Sequence, residues 1–261
     1  MFEWLRRPRR RALEPPKPPI PRPDPDHRIY AVGDVHGRAD LLDVLLPRIE
    51  ADAVAFDDDR QPILLFLGDL VDRGDESRAV IDRVLAAVLT WGRVVCLRGN
   101  HEAAMLAFLD DPVEGAAWLN FGGRQTLQSY GIPAPPQNAG PTVLREAGRK
   151  LAAELDVHAR FLRGLPSMFR SGAVIFAHSG IDPARPLEAQ DEDALLWGRS
   201  GFLEGAVPEG LRVVHGHWAR TEADITPARV NVDTGAYYSG RLTAVRLDEG
   251  TELISVDGLD L

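Results

Sequence analysis

Three short apolar segments near the start of the chain constrain its fold more than any other feature. They cover residues 29–32, 63–67 and 94–97, and each leads through a glycine into a polar loop. Apolar residues at helical spacing follow, beginning with Leu41, Leu42 and Leu45 after the first loop. Buried strands that alternate with amphipathic helices are typical of parallel βαβ units. We therefore predict an α/β domain.

The second half of the chain predicts more strands after an interruption. Residues 111–170 contain paired glycines, a loop rich in proline and glycine, and a helical pattern over 143–162. This segment indicates a cap-like helical insert over the sheet. Further apolar runs predict strands at residues 173–177, 211–214, 230–232, 242–247 and 253–256. We expect residues 28–261 to form one domain.

Residues 1–27 differ in composition from the rest and predict a flexible arm. Eight prolines lie between Pro8 and Pro25, which is incompatible with a helix there. Eight basic and four acidic residues give residues 1–28 a charge of +4, so the rest of this −9 chain carries −13. Peripheral contact of the basic arm with an anionic membrane surface is the weaker interpretation, and a solvated tail the stronger.

Charge, cysteine content and hydropathy exclude several classes of protein. A net charge of −9 disfavours nucleic acid as a partner. The single cysteine, Cys96, lies in an apolar run, which excludes an internal disulfide and argues against cysteine-based phosphate chemistry. No apolar run approaches the ~20 residues of a transmembrane helix. We expect a monomer in the reducing cytoplasm.

Potential metal ligands follow the first three predicted strands. The loops begin Gly33-Asp34-Val35-His36, Gly68-Asp69 and Gly99-Asn100-His101. The carboxyl ends of neighbouring parallel strands meet at the crevice in which α/β proteins bind ligands. Asp34 and His36 are two residues apart, so on an extended chain their side chains point the same way. Three such loops in succession predict a shared site.

These motifs resemble the signature of the metallophosphoesterase superfamily, in its phosphoprotein phosphatase (serine/threonine protein phosphatase) branch and in a bacterial or phage-like form. The resemblance spans residues 28–247 and includes four later motifs: Phe176 to Ile181, Leu195 to Arg199, Gly216-His217 and Val232 to Ala236. It implies the calcineurin-like fold, in which mixed central β-sheets are flanked by helices.

The resemblance also implies a centre of two divalent metal ions. Its ligands would be Asp34, His36, Asp69, Asn100, His178 and His217. Mixed oxygen and imidazole ligands suit manganese, or iron with zinc. The implied reaction is in-line attack on phosphorus by a hydroxide that bridges ions ~3.5–4 Å apart. Of the two histidines in Val214-His215-Gly216-His217, the second follows the glycine as the family's ligand does.

The resemblance assigns catalytic roles to four further residues. His101 would protonate the leaving oxygen as the general acid, and Asp72 would hold its imidazole. Arg73 and Arg199 would bind phosphate oxygens, for which the planar guanidinium is well suited.

Three functions are compatible with these residues. We expect a phosphomonoesterase, a serine/threonine protein phosphatase acting on phosphoproteins or small phosphorylated molecules. The alternative is a symmetrical diadenosine tetraphosphate or polyphosphate hydrolase, although such enzymes tend to have a non-acidic residue at the position of Asp72 and a shorter acid at that of Glu102. A non-catalytic scaffold would require a missing ligand, and none is missing.

Trp218 stands where bacterial members of the family usually have a small hydroxyl residue after the last histidine. The preference for a leaving group therefore stays open.

Overall fold

The computed structural model describes residues 19–258 and contains two five-stranded sheets. The first half of the chain alternates strands and helices as the sequence predicts. Its elements are β1 (His27–Val32), α1 (Ala39–Val54), β2 (Gln61–Phe66), α2 (Ser77–Thr90), β3 (Val94–Cys96) and α3 (Asn100–Asp110).

The middle of the chain is helical. It comprises a 3₁₀ helix (Glu114–Asn120), α4 (Gly123–Ser129) and α5 (Pro141–Arg163). Helix α5 has non-helical dihedral angles at Asp156, which divide it in two. Leu151 and Leu162 of α5 are fully buried in the same apolar core as β1 and β2. The predicted insert therefore packs as part of the helical layer of the first sheet.

The remaining elements complete both sheets. They are β4 (Met168–Ser171), β5 (Val174–Ala177), a 3₁₀ helix (Leu187–Ala189), α6 (Glu192–Trp197), α7 (Ser200–Glu204), β6 (Arg212–His215), β7 (Asp224–Ile225), β8 (Arg229–Asn231), α8 (Ala236–Ser239), β9 (Arg241–Leu247) and β10 (Thr251–Asp257).

Both sheets are mixed, and each contains three neighbouring strands that pair in parallel. The first sheet has the order β10-β9-β1-β2-β3, in which β1, β2 and β3 are parallel. The second has the order β4-β5-β6-β8-β7, in which β5, β6 and β8 are parallel. The predicted α/β fold with mixed central sheets is confirmed.

The alternation of side chains along β1 shows how the layers are arranged. Ile29 and Ala31 pack in a core with Val174 and Phe176 of the second sheet. Tyr30 and Val32 point the other way, into the core beneath the helices. Because both faces of the strand are covered, every residue from 29 to 32 can be apolar.

The predicted arm is only partly within the described residues. Residues 1–18 lie outside them. Of the remainder, Arg22 accepts a hydrogen bond through its carbonyl from the backbone N–H of Ala173 (3.0 Å), and the N–H of Asp24 donates to Ser171 Oγ (3.0 Å). The packed part of the chain therefore includes residues of the predicted arm. Among residues 19–258, no helix has both the length and the apolarity to cross a membrane.

Candidate metal centre

The carboxyl ends of the parallel strands from both sheets meet at one place. The first sheet brings Asp34 and His36 after β1, Asp69 after β2, and Asn100 just beyond β3. The second sheet contributes His178 and His217, which follow β5 and β6. All the predicted ligands are buried or half-buried in this cluster, although they are spread over more than 180 positions of the chain.

Asp69 lies at the centre of the cluster. Its Oδ2 is 3.5 Å from His36 Nε2, 3.4 Å from His178 Nε2 and 3.9 Å from His101 Nε2. Two groups of side chains could each hold a metal ion: His36, Asp69 and His101, and Asp69, His178 and His217. Because Asp69 belongs to both groups, its carboxylate could contribute a ligand to each.

The other predicted ligands adjoin these groups. Asn100 Oδ1 lies 2.9 Å from His178 Nε2 and 3.0 Å from His217 Nδ1, separations compatible with ligands of one ion. Asp34 Oδ2 accepts a hydrogen bond from the backbone N–H of His217 at 3.1 Å. His215 instead packs against the ring of Phe202, with the ring centroids 5.0 Å apart, and its Nδ1 lies 3.0 Å from the carbonyl of Gly216.

Hydrogen bonds fix which nitrogen of two histidines faces the cluster. His36 Nδ1 lies 2.8 Å from the carbonyl of Val71, and His178 Nδ1 lies 3.1 Å from that of Leu67. A nitrogen that donates to a carbonyl is protonated, so in the neutral form of each ring Nε2 carries the free lone pair. Burial lowers the pKa of His36 to about 3, which keeps this imidazole in the neutral, metal-binding form.

The charges of the cluster also fit divalent cations. Burial, followed by the negative charges of Asp233 and Asp69, raises the pKa of Asp34 well above its usual range. Carboxylates buried side by side are destabilising unless cations compensate them. Imidazole nitrogens and carboxylate or amide oxygens are the donors that first-row divalent metals prefer. The residues present therefore fit the two ions implied by the sequence.

His101 faces the cluster from the amino end of α3 and is held by Asp72. His101 Nδ1 donates to Asp72 Oδ2 at 2.7 Å, and both side chains are buried. Burial would lower the pKa of His101, but the charges of Asp69 and Asp72 outweigh it and raise that pKa above its ordinary value. Trp118 Nε1 (2.8 Å) and Thr126 Oγ1 (2.6 Å) also donate to Asp72, so its carboxylate is fixed in position.

The two predicted phosphate-binding arginines are placed differently. Arg73 Nη2 lies 3.1 Å from His101 Nε2, at the edge of the cluster, and its guanidinium lies over the ring of Tyr237. Arg199 forms an ion pair with Asp191 (3.1 Å), and its side chain is 48% exposed. Contact of Arg199 with phosphate stays a prediction.

Trp218 packs at the side of the cluster. Its ring centroid is 5.0 Å from that of His217, and its Nε1 donates to the carbonyl of Ser179 at 2.9 Å. A Cβ on Gly198 would lie 2.4 Å from the indole, so the tryptophan fills the space that this glycine leaves. These contacts hold the indole of Trp218 against the imidazole ring of His217.

Other residues of the site were not anticipated from the sequence. Trp118 and Thr126 support Asp72, and Tyr237 lies with its ring centroid 5.5 Å from that of His36. The paired Gly122 and Gly123 were a signal of close packing, but the sequence did not show what they pack against. Cys96 is buried, and burial raises the pKa of its thiol, which keeps it protonated and unreactive.

The chain is similar to known proteins in both sequence and fold. The model of the calcineurin-like phosphoesterase family matches residues 27–239. A symmetrical bis(5'-nucleosyl)-tetraphosphatase from Xylella fastidiosa (strain 9a5c) is 27% identical over 89% of this chain and 93% of its own length. The enzyme of the same name from Bordetella pertussis is 28% identical over 85% of this chain and 92% of its own. A protein serine/threonine phosphatase structure from Saccharomyces cerevisiae shares the fold, with a TM-score of 0.55 and 16% identity over 89% of this chain and 80% of that one.

Proposed function

Because the chain belongs to the calcineurin-like phosphoesterase family, we propose that this hydrolase cleaves dinucleoside polyphosphates, with diadenosine tetraphosphate as the representative substrate. The curated relatives favour this substrate class over the phosphoproteins expected above, since they match over 85–89% of the chain. The observation that carries the proposal is the pair of potential metal-binding groups that share Asp69, one of which includes His101. This arrangement is suited to hydrolysis of a phosphate ester or anhydride.

The proposal gives the chain's own residues the following roles. Asp34, His36, Asp69, Asn100, His178 and His217 would hold two divalent ions. Such ions, when bound, would activate water at neutral pH and offset negative charge on the phosphoryl oxygens. His101 would protonate the leaving oxygen through Nε2, since Nδ1 donates to Asp72. Arg73 would bind a phosphate oxygen at the edge of the cluster, and Arg199 would be a second candidate for this contact.

A comparison of two substrates tests the proposal. With manganese added, we expect kcat/KM for diadenosine tetraphosphate to exceed that for a phosphoserine peptide by about tenfold or more, a difference of about 1.4 kcal/mol. Symmetrical cleavage would yield adenosine diphosphate as the only nucleotide product. The Asp69→Asn variant, prepared identically, controls for a contaminating phosphatase and should be inactive on both substrates.

Asp72 favours a second candidate function. An acid at this position matches the protein phosphatase form of the motif, and its 2.7 Å contact with His101 provides the pairing that a phosphomonoesterase needs for a poor leaving group. A phosphopeptide turned over at least about tenfold better than the dinucleotide would reverse our assignment in favour of this activity.

A further inference from the structure

An open cleft lies directly beside the ligand cluster. Its volume is about 530 Å³, within the usual range of small-molecule sites. Arg73 and Tyr237 line it on the side of the cluster, and residues 119–122 with Arg124 and Gln125 line it on the other. Arg73 Nη2 also lies 3.1 Å from His101 Nε2. A molecule that contacts Arg73 in this cleft is therefore next to the cluster.

The far wall of the cleft is fixed relative to the catalytic residues. Trp118 and Thr126, which flank this wall in the sequence, both donate to the Asp72 carboxylate that holds His101. Gly122 has a φ of 111°, and a Cβ there would lie 2.4 Å from the backbone nitrogen of Arg73. The wall therefore packs directly on the loop after β2, and its distance from the cluster is set by these contacts.

The cleft presents an exposed aromatic ring. Phe121 is 51% exposed, and it takes part in none of the ring pairs or cation–π contacts found among residues 19–258. Tyr237 is 39% exposed, but one face of its ring is covered by Arg73, whose guanidinium carbon is 4.8 Å from the ring centroid. Phe121 is therefore the ring with room for a planar group.

The polar residues of the cleft favour an anion. Arg73 and Arg124 both line it, whereas none of its lining residues is acidic, although the whole chain carries a charge of −9. The guanidinium of Arg124 donates to the carbonyl of Pro135, which holds this side chain in place. A ligand with a planar aromatic part and a phosphate chain complements both features.

We propose that this cleft binds the nucleoside diphosphate half of the substrate that leaves after cleavage. The base would stack on Phe121, and its phosphates would contact Arg73 and Arg124. The inference rests on the proposed function, because it names the substrate group that the cleft would take during that reaction.

Product binding tests the cleft separately from turnover. We would measure the affinities of adenosine diphosphate and of pyrophosphate, which lacks the base, by calorimetry with the same divalent cation present. The proteins are the wild type, Phe121→Ala, Phe121→Trp and Leu89→Ala, the last removing an 87% exposed side chain from α2 as a matched control. We expect Phe121→Ala to weaken the nucleotide by about fivefold or more and pyrophosphate by less than about twofold, because stacking is lost.

The possible outcomes distinguish nucleotide binding in the cleft from hydrolysis of the proposed substrate. Retained nucleotide affinity in Phe121→Trp and Leu89→Ala, with loss in Phe121→Ala, supports the cleft even if diadenosine tetraphosphate proves not to be a substrate. Equal nucleotide affinity in the wild type and in Phe121→Ala overturns it, even if the dinucleotide is hydrolysed. Equal weakening of pyrophosphate and nucleotide also overturns it, because the base would then contribute nothing.

Discussion

Single residues of the site adopt backbone conformations that side chains disfavour. Within residues 19–258, six non-glycine residues have positive φ, and five of them belong to the site loops: His36, Asp69, Asp72, Arg73 and His217. Their φ values lie between 45° and 73°, a region that costs an L-residue roughly 1–2 kcal/mol. Such conformations persist only where surrounding contacts enforce them. The rest of the fold thus holds these side chains in the cluster.

Replacing His101 tests the role of the general acid. For His101→Gln we expect kcat to fall by about 10²–10⁴-fold on phenyl phosphate, because the leaving oxygen then receives no proton. The decrease should be smaller on 4-nitrophenyl phosphate, whose leaving group departs readily as an anion. Steady-state kinetics on both esters, with the metal content measured on the same samples, provide the readout.

A second buried histidine supplies the control. His158 bonds to Tyr130 (2.7 Å) and Asp82 (3.0 Å) in the helical layer, and His158→Gln should leave kcat near the wild-type value. An equal decrease on both esters for His101→Gln would show that the residue acts by positioning alone, against the role assigned to it.

The sequence could predict which residues gather at the site but not all of their contacts. Asp34, Asp69 and Asn100 were predictable because parallel strands place their carboxyl ends side by side. Contacts such as those of Trp118 and Thr126 with Asp72 depend on how the helical segment packs over the first sheet. No local pattern encodes that packing, so these supporting residues appear only in the structure.

Among the elements, helix α3 and the loop after β2 are joined by one buried carboxylate. Glu102, in the first turn of α3, accepts hydrogen bonds from the backbone N–H groups of Gly99 (2.8 Å) and Asp69 (2.9 Å). Its other oxygen accepts from Leu70 (2.8 Å) and Val71 (3.2 Å). Glu102 therefore caps its own helix and fixes the loop that carries Asp69.

Exchanging this carboxylate for an amide should destabilise the protein. In Glu102→Gln, the amide NH₂ would face backbone donors, which would leave buried N–H groups without acceptors. We expect a loss of about 2–4 kcal/mol in the free energy of unfolding, measured by urea denaturation of the metal-free protein. Glu249→Gln, at a 72% exposed ion-pair position, should cost no more than about 1 kcal/mol. Equal unfolding midpoints for both variants would contradict this role of Glu102.

The strands with a continuous apolar run were predicted well even where they are short, and two strands without such a run were not. The predicted helix at 143–162 corresponds to α5 (Pro141–Arg163), and the first three strands overlap the predicted segments. The four-residue strand β4 and the two-residue strand β7 were missed. These two segments contain at most two consecutive apolar residues, so no local pattern marks them, and pairing with β5 and β8 defines them as strands.

At the scale of the whole molecule, the centre joins the two sheets. The ligand cluster draws four side chains from the loops of the first sheet and His178 and His217 from those of the second. Carboxylates of Asp34, Asp69 and Asp233 are buried together there. Bound cations would both compensate this charge and link the sheets, so we expect metal binding to stabilise the whole fold.

Metal removal is the global test of this arrangement. A ligand present at 100 times its dissociation constant stabilises the folded state by about 2.7 kcal/mol. For a chain of this size, we expect chelation to lower Tm by roughly 5–10 °C, and manganese should restore it as its concentration rises. Asp69→Asn should abolish this response, because it alters the shared ligand, whereas Asp59→Asn at an exposed position should retain it. A wild-type Tm unaffected by chelation and by added manganese would show that no ion links the two sheets.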